Sequence, residues 1–128
     1  MTAPVGVVLV SHSPALAAGL AELLNELGAG LVRVALAAGS ADGGLGTSDE
    51  KVARALDEAD TGAGAVVLAD LGSAVLTARL VLTDRPGAVL ADAPFVEGAV
   101  AAAVTASTGA RLDEVLRAAE GARGHRKF

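Results

Sequence analysis

The chain has 128 residues, enough for one domain with a real core. Hydrophobic residues make up 52% and aromatics only 2%, so the apolar content is mostly Ala and Val, in runs too short to span a bilayer. The net charge of −5, with no basic cluster outside the tail Arg123–Lys127, argues against nucleic acid, and the absence of cysteine excludes disulfides and thiolate metal sites.

A core of small aliphatic side chains suits helices packed closely on a parallel sheet. With no basic segment ahead of an apolar stretch to act as a signal, a cytoplasmic domain without membrane contact is expected.

Val5–Val10 is a continuous apolar run, as in a strand covered on both faces. Pro14–Leu27 follows with Leu16, Leu20, Leu23, Leu24 and Leu27 at helical spacing, Ser13 as N-cap and Gly28 as C-cap. Leu31–Ala37 predicts a second strand, and "AAGSADGGLGTS" a glycine-rich loop. Thr47 or Ser48 then caps a helix over Asp49–Asp60, with acidic residues in its first turn where the dipole favours them. A third strand over Gly64–Ala69 ends at Asp70, a helix covers Ser73–Thr83, and Ala88–Leu90 is a short fourth strand. Two final helices, Glu97–Ser107 and Leu112–Gly121, are joined by a turn at Thr108–Gly109. The tail from about residue 120 is expected to fray, with His125 in solvent.

This βαβαβαβ order predicts a single α/β domain with a parallel central sheet of about four strands and helices on both faces. Sites in such sheets form outside the carboxyl ends of the strands. His12, the Gly39–Ser48 loop, Asp70–Ser73 and Pro94–Glu97 all follow strands, and should share one edge.

The chemistry available there is limited. One His and one Asp supply too few ligands for zinc. "GSADGGLG" lacks the spacing and lysine of a P-loop, and "GAG" at Gly62–Gly64 precedes a strand, so neither is a nucleotide fingerprint. No G-x-S-x-G elbow is present, and the first strand does not end in the acidic residues a receiver domain needs. Covalent catalysis by imidazole survives. A neutral His needs one ring nitrogen free and the other held by an acceptor, and Asp70 is the right residue type for that acceptor. A phosphoryl group on His12 would meet donors from Ser11, Ser13, Thr47, Ser73 and loop backbone, with helix N-termini after His12 and at Ser73 adding partial positive charge. The residues alone leave a plainer reading open: His12 as a hydrogen-bonded strand end and Asp70 as an N-cap. Glu97, Arg79 and Arg54 are candidate partner contacts or ordinary solvated charges.

"VVLVSHSPALAAGLAELL", "GTS", "VVLADLGSAVLTARLVL" and "APFVEGAVAAAVTASTGARLDEV" together resemble the phosphoryl donor subunit of bacterial dihydroxyacetone kinase, within the mannose-type IIA superfamily of the phosphotransferase system. The resemblance covers about residues 5–118. It implies that His12 is phosphorylated on Nε2, that Asp70 orients the ring, and that Gly46, Thr47 and Ser73 match the loops around the phosphate; with Ser11, Ser13 and Gly72 these are the expected phosphate-binding residues, and neither metal nor cofactor is expected. It further implies that phosphate comes from the phosphohistidine carrier protein of the phosphoenolpyruvate relay. The phosphate would then pass to ADP on a partner kinase subunit, to the benefit of dihydroxyacetone. A homodimer is implied as well. Many relatives carry further relay domains, here expected to be separate proteins. "SHS" and "LGSA" favour this branch over the sugar-transporting mannose-type IIA subunits, and a phosphorylation-dependent regulatory module is the remaining alternative.

Overall fold

The computed structural model of the protein describes residues 3–28 and 30–128. Its elements are β1 (Gly6–Ser11), α1 (Pro14–Leu27), β2 (Val34–Ala38), α2 (Asp49–Ala59), β3 (Ala65–Ala69), α3 (Gly72–Leu82), β4 (Ala88–Leu90), α4 (Phe95–Ser107) and α5 (Leu112–Gly121). The four strands form one parallel sheet in the order β2-β1-β3-β4.

Residue pattern explains the layering. β1 and β3 lie inside the sheet and are buried along their whole length, so both read as unbroken apolar runs. Alternate residues serve opposite layers: Val7, Leu9, Val66 and Leu68 face a core shared with α1, α4 and α5. Val8, Val10 and Val67 face the core under α2 and α3. The chain moves from β1 outward to β2, then returns past β1 to β3. That reversal makes the β1/β3 boundary the topological switch point, where open α/β sheets place their crevice.

Boundaries differ from the pattern in instructive ways. β2 begins at Val34 rather than Leu31: Leu31 is exposed, Val32 is buried without joining the ladder, and as an edge strand β2 turns Leu36 outward. Asp60 ends α2 as its C-cap, and its side chain accepts the Gly62 and Gly64 N–H groups. α4 starts two residues early, at Phe95, with Pro94 as its N-cap. On α1 only Leu20 and Leu24 of the five spaced leucines are buried. The tail is tied down at three points: Ala122–Gly124 form a 3-10 turn, Arg123 pairs with Asp92, and Lys127 pairs with Glu97. His125 is exposed. Among the described residues, no helix is long and apolar enough to cross a membrane.

Candidate active site

β1 and β3 are register neighbours, Val10 opposite Ala69, and the Asp70 N–H donates to the Val10 carbonyl at 3.1 Å. The residues that leave these strands, His12 and Asp70, therefore meet at the switch point. The His12 Nδ1 lies 2.8 Å from Asp70 Oδ1. The same oxygen accepts the Leu71 N–H at 2.7 Å, while Oδ2 accepts the Ser11 hydroxyl at 2.9 Å and the His12 main-chain N–H at 3.0 Å.

Burial of Asp70 works to raise its pKa, but the donors from His12, Ser11 and Leu71 outweigh it and hold the carboxyl below its ordinary 3.8. Asp70 is thus an anion at neutral pH and can only accept. Nδ1 must then carry the proton, which leaves the lone pair on Nε2. Nε2 faces the Ser73 hydroxyl, and in this tautomer the hydroxyl donates to it. The ring is about one-quarter exposed, its Nδ1 bond to Asp70 part-buried and its Nε2 bond to Ser73 exposed.

The surrounding residues divide by role. Ser11, expected among the phosphate's donors, is fully buried, and its hydroxyl is bonded to Asp70 and to the Ser13 backbone, where it positions the carboxylate. Ser13 caps α1 by accepting the Leu16 N–H, and Pro14 removes another donor from that helix end. α3 is different: Leu71, not Asp70, is its N-cap, and no side chain caps it. Its first N–H groups, at Gly72 and Ser73, are those available to an anion beside Nε2.

The glycine-rich loop reaches the site through Gly46, whose N–H donates to the His12 carbonyl at 3.1 Å. Gly46 has φ +136°, a conformation side chains disfavour, and a Cβ there would meet Ser40 at 3.2 Å. Thr47 is bonded to Thr77 of α3 at 3.0 Å, and Ser48 caps α2. Thr77 carries no sequence signal for this role, since its value lies in a contact thirty residues away along the chain. At the fourth segment, Glu97 pairs with Lys127, and just before it the Asp92 N–H donates to Glu120 while its carboxylate pairs with Arg123; among the described residues no side-chain hydrogen bond joins Pro94–Glu97 to His12.

An imidazole whose Nδ1 is held by an anionic carboxylate and whose Nε2 keeps its lone pair, beside a helix end without a side-chain cap, is an arrangement able to act as a nucleophile toward an electrophile seated there. Residues 6–116 match the family described as the phosphotransferase-system fructose IIA component, and the chain belongs to that family. Curated proteins similar to it include phosphoryl donor subunits of dihydroxyacetone kinase. The Escherichia coli protein is 36% identical over 120 residues, covering 88% of this chain and 25% of its own length. The chain thus spans about a quarter of that relative. The Lactococcus lactis phosphotransferase subunit is 33% identical, covering 86% of this chain and 89% of its own length. A solved structure described as a protein of unknown function superposes with TM-score 0.85 at 32% identity, covering 98% of both chains.

Proposed function

We propose that this protein is a phosphoryl carrier of a dihydroxyacetone kinase system, with His12 Nε2 as the covalent acceptor. The reading rests above all on the Asp70–His12–Ser73 chain of hydrogen bonds, which fixes the nucleophilic tautomer. The Ser73 hydroxyl turns away from Nε2 as the lone pair attacks the phosphorus of the donor. An N–P bond forms on His12 as the donor's N–P bond breaks, and its imidazole leaves with the electron pair. Because Nδ1 keeps its proton, the phosphorylated ring is an imidazolium, stabilised by the Asp70 carboxylate. Ser73, Ser13 and Thr47 hydroxyls and the Gly46, Gly72 and Ser73 backbone form the phosphate's surroundings in this reading.

The donor is the phosphohistidine carrier protein charged from phosphoenolpyruvate, and the acceptor is ADP on the kinase partner subunit, which then phosphorylates dihydroxyacetone. Transfer onward reverses the first step, and the ring leaves neutral. The names borne by the relatives support this acceptor, whereas the family's description as a fructose component supports the sugar-permease alternative. We also read the protein as a cytoplasmic homodimer; Leu16, Leu23 and Leu27, left exposed on α1, support a seam between copies.

The test is phosphorylation by phosphoenolpyruvate, enzyme I and the carrier protein, read by intact mass. One acid-labile phosphoryl group is expected on the wild type and none on His12→Ala. Equal incorporation by His12→Ala would overturn the assignment. Chase with the ADP-loaded kinase subunit, against a permease subunit, identifies the acceptor.

A further inference from the structure

The glycine-rich loop is clamped to the turn after β1 at two points. The Gly39 N–H donates to the Ser11 carbonyl at 3.0 Å, and the Gly46 N–H to the His12 carbonyl at 3.1 Å. Between these points the backbone bonds to itself, Ser40 with Gly44 and Gly43 with Ser40. Thr47 comes next, and its Oγ1 lies 3.0 Å from Thr77 Oγ1. Among the described residues this is the one hydrogen bond between residues 39–48 and α3.

Thr77 stands one turn after Ser73 on the same face of α3, and Ser73 is the residue that meets His12 Nε2. The contacts therefore close a ring. It runs from Nε2 to Ser73, along one turn of α3 to Thr77, across to Thr47, and back through Gly46 to the His12 carbonyl. A threonine within a helix loses side-chain freedom, and its hydroxyl ordinarily returns to a carbonyl three or four residues back. The hydroxyls of Thr83, Ser107 and Thr108 do so here, whereas Thr77 reaches out to the loop. Among the described residues, neither Thr47 nor Thr77 makes a second side-chain hydrogen bond.

Two hydroxyls that share one hydrogen bond leave one hydrogen over. When Thr77 donates to Thr47, the hydrogen left over is on Thr47, on the loop beside His12. The reverse arrangement spends the Thr47 hydrogen on α3. Phosphoryl oxygens only accept, so a phosphoryl group at His12 selects the first arrangement, in which the two hydroxyls polarise each other in line.

We propose that Thr77 is a positioning residue for phosphoryl transfer: its hydroxyl donates to Thr47, holding the loop against α3 and leaving the Thr47 hydroxyl to donate to the phosphoryl group on His12. The proposal rests on the phosphocarrier reading. The bonds made and broken at His12 are those given above; Thr77 acts on their rate, because a donor fixed in advance stabilises the negative charge on the moving group.

The experiment labels His12 from two phosphoryl donors: the charged carrier protein, and phosphoramidate, a small N–P donor that needs no docking. Thr77→Val keeps the shape of the side chain and removes the hydroxyl. It should lower the labelling rate about 5-fold with both donors, as kcat for the carrier, with the carrier KM unchanged. Thr47→Val should do the same, and the double variant should be no slower than either single one, since Thr77 acts through Thr47. Thr77→Ser returns the hydroxyl and should recover labelling to within about twofold of wild type. Urea unfolding checks that each variant folds, and Thr77→Ala carries the same expectation should Thr77→Val not fold. An unchanged rate in the folded variant overturns the proposal, as does a double variant whose loss is the product of the two single losses. A loss that Thr77→Ser does not recover also overturns it, since Thr77 would then serve packing alone. Wild type that takes phosphate from neither donor overturns the phosphocarrier reading itself.

Discussion

Asp70 receives two donors on each carboxylate oxygen, and both pairs include a backbone N–H that cannot reverse its role. An asparagine in its place cannot satisfy this set. With its NH2 at the Oδ1 position it faces the Leu71 N–H, and the imidazole must shift its proton to Nε2, destroying the nucleophile. With its NH2 at Oδ2 it faces the His12 N–H. Asp70→Asn should therefore slow phosphorylation of His12 at least 10-fold and destabilise the fold by about 1–3 kcal/mol, read by single-turnover labelling and urea unfolding. The pH dependence follows from the depressed pKa. The unfolded carboxyl titrates near its ordinary 3.8 and the folded one lower, so the stabilisation is complete above 3.8 and fades as pH falls through the folded value. The part of the stability gap between wild type and Asp70→Asn that comes from the ionised carboxylate should close as pH falls below about 3.8. A gap that closes near neutrality would mean that another group carries it.

At the scale of elements, the same change of residue should have opposite signs at two glycines. Gly6 in β1 lies against the end of α2: a Cβ there would sit 2.2 Å from the Ala59 carbonyl oxygen and 2.7 Å from its carbon, both backbone atoms. Neither the central strand nor the helix end can retreat cheaply, so Gly6→Ala should cost at least about 3 kcal/mol in urea unfolding. Gly19 is exposed within α1 with nothing near its would-be Cβ, and Gly19→Ala should stabilise by about 0.5–1 kcal/mol. Elements with long, unbroken or well-capped patterns were legible in sequence: β1, α1 with Ser13, and α5 are close to their expected spans. The start of α4 at Phe95 was not, because Pro94 serves as N-cap without the side-chain hydrogen bond that marks most helix starts. In the site, His12 and Asp70 were legible as residue types at strand ends. The bond from Ser11 to Asp70 was not legible, because a serine beside a histidine looks the same in sequence whether its hydroxyl faces a ligand or a buried carboxylate. Thr77 was invisible, since only the packing of the loop on α3 gives it a partner.

Across the whole molecule, the near absence of aromatics sets how the layers meet. The buried face of α4 is Gly98, Ala99, Ala102, Ala103 and Ala106, all small, and this lets the helix backbone lie close to the sheet. A Cβ on Gly98 would already be 3.1 Å from Leu68 in β3. A core made this way has few large side chains to lose, and its vulnerable direction is enlargement. Ala102 is fully buried in the cluster that joins α1, α4, α5 and the sheet, whereas Val104, two residues on, is 43% exposed. Ala102→Leu must either push α4 off the sheet or force side chains from their rotamers, at about 3 kcal/mol, while Val104→Leu should change stability by less than about 0.5 kcal/mol. Urea midpoints of the two variants measure this directly. Because His12 is carried on β1 and shaped by β3 and α3, on the opposite layer from α4, Ala102→Leu should lower the midpoint while leaving the phosphoramidate labelling rate of the folded protein near that of wild type. Equal losses in both measurements would show that the two layers do not act independently, and that the spacing of α4 on the sheet also sets the geometry at His12.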